Sequence, residues 1–357
     1  MAAGIVVLYH LSLVAQPYLD TGQVGDAWWW ISATPLKIMT AGSEGVLVFF
    51  VLSGLVVALP SLQNSFAWRG YYLTRLLRLY VPVWVALAIA ATLVVLLPRD
   101  PSMVTAGSWV ATTNATTTSV AKWLSDASLT RAGYDLDNVL WSLRWEVVFS
   151  VTLPLFVAVA LLLRRAWLVG MATALGISIF GTVVGSDPVT YLPLFLVGTI
   201  AALHLDEIQS WARCRGPASW RAISIAAISL SLCNPILTRL LPAGGLVALI
   251  ETGAAGAGAS GVVLCALCSP AWRRALSTRV PGFLGRISFS LYLVHVPIIA
   301  TVSYLVGDRL WWLVALISIP ISVVAGWLFH RAVERPSHRL AKAAGAERGI
   351  VLSGGTS

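Results

Sequence analysis

Charge is what this sequence has least of. Only 11% of its 357 residues are Asp, Glu, Lys or Arg, against roughly 25% in a soluble domain. In contrast, 58% are hydrophobic and the mean hydropathy is +0.82. That balance excludes a water-soluble fold and describes a polytopic membrane protein. Acidic residues are the scarcest, 15 against 24 Lys and Arg, for a net charge of +9. The excess does not imply nucleic acid, because the basic residues stand in short loops between apolar runs and form no continuous face. Cysteine is nearly absent as well: Cys214, Cys233, Cys265 and Cys268. The Cys265–Cys268 pair has CxxC spacing, but no second Cys or His pair accompanies it, so it reads as packed free thiols and no metal is expected. The apolar runs lack the alternation of a membrane β-barrel. Ser53, in "FFVLSGLV" at 49–56, lacks a GxSxG context and is not read as a nucleophile; with Gly54 it permits close helix contact. A Gly/Ser linker to a second globular domain is also missing.

What is present is a series of apolar runs, each near the roughly 20 residues a helix needs to cross a bilayer. Candidate spans lie near 1–16, 43–60, 78–98, 146–163, 166–184, 189–205, 222–240, 246–267, 285–306 and 311–330. The predicted fold is an all-α membrane bundle of about ten transmembrane helices. The loops after every second span, with the C-terminal tail, hold seventeen of the 24 Lys and Arg. The positive-inside rule then puts both termini in the cytoplasm. On the opposite side, "AWWWIS" at 27–32 reads as an interfacial aromatic belt. Residues 99–140 form the longest loop, polar enough to be wet and to shape a binding surface. The first span, at 1.5 Å per residue, covers only about 24 Å, and it has no cytoplasmic cation and no basic n-region of a signal peptide. The expectation is a first helix truncated at its N-terminus.

Ionisable residues in or beside these runs are costly in hydrocarbon and mark a substrate path or proton relay, unless they merely pair to hold helices together. They are His10 within "IVVLYHLSLV", His295, Glu44, Glu146, Glu251 and, two residues before Glu146, Arg144. Span direction puts His10 in the outer half of span one and Glu44 and Glu146 at the outer ends of spans two and four. The three are predicted to converge near the outer face, where an imidazole beside a carboxylate makes a general base. His295, nearer mid-depth, reads as structural. In "RGYYLTRLLRLYVP", Arg69, Arg75 and Arg78 either clamp phosphates or simply anchor the cytoplasmic side.

Taken in order, several stretches resemble acyltransferase family 3 of integral membrane proteins. "VVLYH" at 6–10 is similar to its first-helix histidine motif. "GSEGVLVFFVLSGLV" at 42–56 contains its FFxxSG core. "RGYYLTRLLRLYVPVW" at 69–84 resembles its arginine-rich stretch. "LWSLRWEVVFSVTLP" at 140–154 resembles its WSLxxExxF motif, and "LGRISFSLYLVHVPII" at 284–299 and "VERPSHR" at 333–339 its closing pair. The family's arginine eleven positions before the histidine falls before Met1, in keeping with the short first span.

The resemblance implies a transmembrane acyltransferase domain over 1–336, followed by a short cytoplasmic tail over 337–357. It implies a multi-pass enzyme, expected in the bacterial plasma membrane. The enzyme would move an acyl group, acetyl in the commonest case, from cytoplasmic acyl-CoA to a hydroxyl on a cell-surface glycan or a secondary metabolite. His10 is the expected general base, with Glu146 orienting the imidazole; an acyl-histidine route stays open. Arg69, Arg75 and Arg78 are expected at the donor phosphates, with Glu44, Trp141, Ser142 and Arg144 as further substrate-binding positions. Acyl-CoA is a co-substrate and no cofactor is expected. The rival reading is a proton-coupled transporter or flippase without acyl chemistry, weakened because no inverted repeat is visible.

Overall fold

The computed structural model describes residues 2–63, 66–130, 134–232 and 245–350, with the side chains of residues 2, 245–252 and 345–350 outside the description. Among the described residues there is no strand. The long helices are α1 (Ala2–Leu19), α3 (Gly42–Ser61), α4 (Trp68–Leu96), α7 (Leu140–Leu162), α8 (Trp167–Val183), α9 (Asp187–Leu203), α11 (Pro217–Leu232), α12 (Gly245–Cys268), α15 (Ser288–Val306) and α16 (Trp311–Phe329). Shorter helices lie between them: α2 (Ala27–Ala33), α5 (Trp109–Thr113), α6 (Val120–Ala127), α10 (Leu205–Arg213), α13 (Pro270–Leu276) and α14 (Arg279–Arg286). The last helix, α17, is Arg335–Ile350. A helix thus stands on every expected apolar run, although the run at 222–240 passes into the undescribed 233–244.

Among the described residues, six helical segments are long and apolar enough to cross a membrane, and eight if two bent pairs each count as one span. The bent pairs are α9 with α10, at 71°, and the second half of α12 with α13, at 83°. The bundle is apolar on its outside: Leu155, Leu168, Val169 and Leu316 are exposed. Serine, threonine, histidine and glutamate side chains are buried within it. That distribution suits a hydrocarbon solvent, in which lipid tails compete for apolar contacts and small or polar residues bring helices together.

The α3–α9 contact shows how. A Cβ at Gly54 would land on the carbonyl of Phe195, and one at Gly198 on the carbonyl of Val51. The two backbones therefore touch without intervening side chains. Around this contact Phe195 stacks on Phe149 at 4.6 Å and lies 4.8 Å from Phe50, all three fully buried. Gly54 does what a small residue was expected to do, whereas Ser53 donates to Glu146 of α7.

Two expectations are corrected. The 99–140 loop is only partly a wet surface: Thr116, Thr117 and Ser119 are exposed, but other parts of the segment pack inward. Val110, Leu129, Leu136 and Asp137 are buried, and the segment folds back into the bundle. Tyr18 and the backbone N–H of Thr105 both donate to Asp308, tying α1 and this segment to the start of α16. Arg99, in the same segment, is buried, donates to Ala115 O and Thr301 Oγ1, and lies over the Tyr304 ring. Nor does packing stop at residue 336. The chain passes from α16 through a π-helical turn (His330–Glu334) into α17, where Ser337 and Ala341 are buried and Thr74 donates to Ala341 O. The first turns of α17 are thus part of the bundle and not a detached tail.

Candidate active site

His10 lies in the middle of α1, 7% exposed. Its neighbour is His295 of α15, fully buried, with His295 Nε2 3.1 Å from His10 Nδ1. The proton positions follow from the carbonyls around the pair. His295 Nδ1 faces Tyr292 O at 2.8 Å and Leu291 O at 3.0 Å, two acceptors, so it carries the hydrogen. In the neutral ring Nε2 then holds a lone pair. His10 Nδ1 faces that lone pair and also Val6 O at 3.0 Å, so it too is the donor. This leaves His10 Nε2 unprotonated and with no hydrogen bond among the described residues. The pair therefore aims a basic nitrogen away from its own support, the geometry of a general base whose tautomer is set by its other nitrogen. Trp109, from the in-folded loop, stands 5.0 Å from the His10 ring.

Glu146 is not beside His10. Tyr292, in the second turn of α15, meets Ser142 Oγ and Val139 O, so α7 begins inside the bundle, level with that turn. One further turn along α7, Glu146 falls level with the start of α15. There it forms an ion pair with Arg75 and accepts from Ser53 Oγ at 2.6 Å. Arg75 Nε also donates to Ser150 Oγ. Depth counted from the ends of the apolar run failed because the preceding loop dips into the bundle. Glu44, the third expected member of the outer cluster, pairs with Lys37 at 3.0 Å, and no hydrogen bond links it to His10. Glu251 lies outside the described side chains.

The remaining predicted residues divide. Arg78 is exposed to a cavity of about 260 Å³ that Arg75, Glu146 and Ser53 also line. Arg69 is exposed on the first turn of α4 and lines none of these cavities. Trp141 packs on Phe50 and Tyr191. Ser142 supports Tyr292, and Arg144 lies over the Trp145 ring. None of these three lines the cavities described below.

The 260 Å³ cavity also receives Glu334 and His338. Glu334 Oε2 accepts from Ser290 Oγ and His330 Nδ1 within the π-helical turn, a feature frequent at functional sites. Sequence reasoning did not single out Glu334 or His338, although both lie in "VERPSHR". It set Ser53 aside and read His295 as structural. Among the described residues no cluster could hold a metal ion.

Three cavities adjoin in sequence. One of about 580 Å³, lined by Thr74, Arg75, Arg78 and Lys342, shares Val56, Val57, Arg75 and Arg78 with the 260 Å³ cavity. The latter shares Phe49, Leu52, Leu143 and Phe289 with a third, apolar cavity of about 350 Å³. The third is bounded by Val6 and Tyr292, whose carbonyls accept from His10 and His295. The basic cavity thus adjoins a polar one that the Arg75–Glu146 pair lines, and that one adjoins an apolar chamber; the two histidines do not line the chamber themselves but are held by carbonyls of residues that do.

Residues 1–331 match the acyltransferase-domain model of acyltransferase family 3. A curated relative, Acyltransferase MdmB of Streptomyces mycarofaciens, is 25% identical over 375 aligned residues, covering 94% of this chain and 89% of the relative. No solved structure matches. With the family model spanning nearly the whole chain, and with several helices long and apolar enough to cross a bilayer, the protein belongs to acyltransferase family 3 and is a multi-pass membrane O-acyltransferase.

Proposed function

We propose that the enzyme moves a short acyl group, acetyl in the simplest case, from acyl-CoA at the arginine-rich end of the bundle to a hydroxyl of a carbohydrate or secondary-metabolite acceptor arriving from the other side. In this reading ten helices span the plasma membrane of a bacterium, with both termini cytoplasmic. The observation that carries it is the run of adjoining cavities from Arg75, Arg78 and Lys342 to Val6 and Tyr292, the residues whose carbonyls hold the histidine pair. Phosphates suit the basic cavity, and the acyl-bearing arm suits the apolar chamber.

In the chemical step His10 Nε2 takes the acceptor's hydroxyl proton as the oxygen attacks the thioester carbonyl. The C–O bond forms, the C–S bond breaks, and the proton passes from the imidazolium to the departing thiolate. His295 Nε2 accepts from His10 Nδ1–H throughout and strengthens that bond as charge develops. Glu146 acts in the polar cavity, holding Arg75, and not on the imidazole.

The test is purified protein incubated with labelled acetyl-CoA and a panel of hydroxyl acceptors. Transfer that His10→Ala abolishes, at unchanged abundance, is the expected result. Full transfer by His10→Ala, or no transfer to any hydroxyl acceptor together with donor-independent acceptor transport, would refute it.

A further inference from the structure

A second built cavity lies away from the histidines, where α11 begins and α12 breaks into α13. It has a volume of about 690 Å³, and its polar wall carries Arg215, Arg221, Arg274 and Ser269. None of these arginines is in an ion pair among the described residues, and no acidic residue lines the cavity. Ser269 stands at the break itself, 1% exposed. As the residue before α13 it would ordinarily cap that helix, yet its Oγ makes no such bond and has no partner among the described residues. A buried hydroxyl left without a partner is costly unless a ligand satisfies it.

The wall is also fixed in place. Trp272 Nε1 donates to Ser224 Oγ at 3.0 Å, holding the α13 tryptophan against α11. The 83° bend sets α13 across the direction of α12, as an interfacial helix lies across a spanning one. One turn beyond Arg221 on α11, the outward-facing Ile225 continues the same wall and is 66% exposed. The polar groups therefore sit at one end of a groove whose other end opens on the apolar exterior.

We propose that this cavity binds the phosphate headgroup of an anionic phospholipid, with Arg215, Arg221, Arg274 and Ser269 on the phosphate and one acyl tail along Ile225. Arg274 Nε donates to Pro270 O and Arg215 lies over the Trp211 ring, but with no carboxylate to neutralise them the arginines select net negative charge. The exposed isoleucine distinguishes a lipid from a soluble phosphate, which would leave the apolar end of the groove empty. This site is independent of the acyl-transfer reading and uses none of its residues.

Native mass spectrometry of the whole protein, released from nanodiscs of mixed phosphatidylglycerol and phosphatidylcholine, tests it. The wild type is expected to retain one phosphatidylglycerol at least tenfold in preference to phosphatidylcholine. The Arg221→Ala/Arg274→Ala variant loses that preference. The Arg164→Ala/Arg165→Ala variant, which removes two cations from another loop, keeps it. Ser269→Ala and Ile225→Ser, which leave charge untouched, each weaken retention and carry the test if the double arginine variant does not fold. Equal retention in the Arg221/Arg274 variant, or equal loss in the Arg164/Arg165 control, overturns the proposal in favour of plain charge anchoring. Displacement of the lipid by inorganic phosphate or by acetyl-CoA at millimolar concentration overturns it in favour of a soluble-phosphate site.

Discussion

Replacing His295 by leucine is the sharpest test of the paired-histidine geometry. In the resting enzyme His10 Nδ1–H has two acceptors, Val6 O at 3.0 Å and His295 Nε2 at 3.1 Å. Leucine removes only the second, so the His10 tautomer survives through Val6, and the ground state loses one neutral hydrogen bond, about 0.5–1.5 kcal/mol. In the transition state His10 carries positive charge, and the same bond becomes charge-assisted, worth about 1.5–3 kcal/mol. The loss specific to the transition state is the difference between the two, on the order of 1–2 kcal/mol, or roughly 5- to 30-fold in kcat. The lost bond involves no residue that lines the arginine-bearing cavities, so the KM for acyl-CoA should hold. His295→Gln restores an acceptor near the Nε2 position and should recover part of the rate. Steady-state kinetics of the three purified proteins, with folded yield checked by size-exclusion chromatography, gives the answer. Unchanged kcat in His295→Leu would refute the reasoning. Equal losses in the leucine and glutamine variants would show that packing, and not the hydrogen bond, is what His295 supplies.

Four further outcomes follow from the geometry. Glu146→Gln leaves the Arg75 guanidinium without its charge partner, a loss of about 3–5 kcal/mol for a buried pair. It should lower the Tm and weaken donor binding, and Arg75→Met added to it should recover stability; a double variant no more stable than Glu146→Gln would count against the pair. Arg78→Ala should raise the KM for acyl-CoA by about 10- to 150-fold, the value of one charge-assisted phosphate bond, whereas Arg69→Ala, which lines none of these cavities, should leave it within about twofold, and equal effects would place the donor elsewhere. Gly198→Ala drives a Cβ into the Val51 carbonyl and should destabilise the α3–α9 contact by about 1–3 kcal/mol, so an unchanged Tm in detergent would contradict the close approach. Burial raises the Asp126 carboxyl in the in-folded loop to about 6, so the folded state keeps a proton between about pH 4 and 6 that the unfolded chain has released. Its contribution favours folding most below about pH 4 and fades as pH rises to about 6. Asp126→Asn, which can still accept from Leu136 N–H, should flatten that dependence in a Tm-against-pH series, and an unaltered slope would refute the assignment.

Composition and run length alone determined the class of molecule, because a bilayer demands long apolar helices and excludes most alternatives. The helices fall on the runs, Ser53 and Gly54 mark a close contact, and the ordered motifs name the family that the comparison shows. His10 and Glu146 were legible as functional candidates because an ionisable group in an apolar run needs a reason to be there; Arg75 and Arg78 became candidates only through the family resemblance, since their spacing alone also fits cytoplasmic anchoring. Which of them meet was not legible. Hydropathy fixes the ends of a run only relative to its own helix, and it assumes that loops stay outside. With the 99–140 segment folded into the bundle, α7 begins level with the second turn of α15. That moves Glu146 from the imidazole to Arg75, and it brings Trp109 up to His10. The partner of His10 comes instead from His295, 285 positions away. Glu334 and His338 reach the polar cavity because the chain continues through a π-helical turn and packs where a tail was expected. Pairings of that kind depend on how far each helix slides along its neighbours, a quantity set by side-chain packing between helices, and only the tertiary structure decides it.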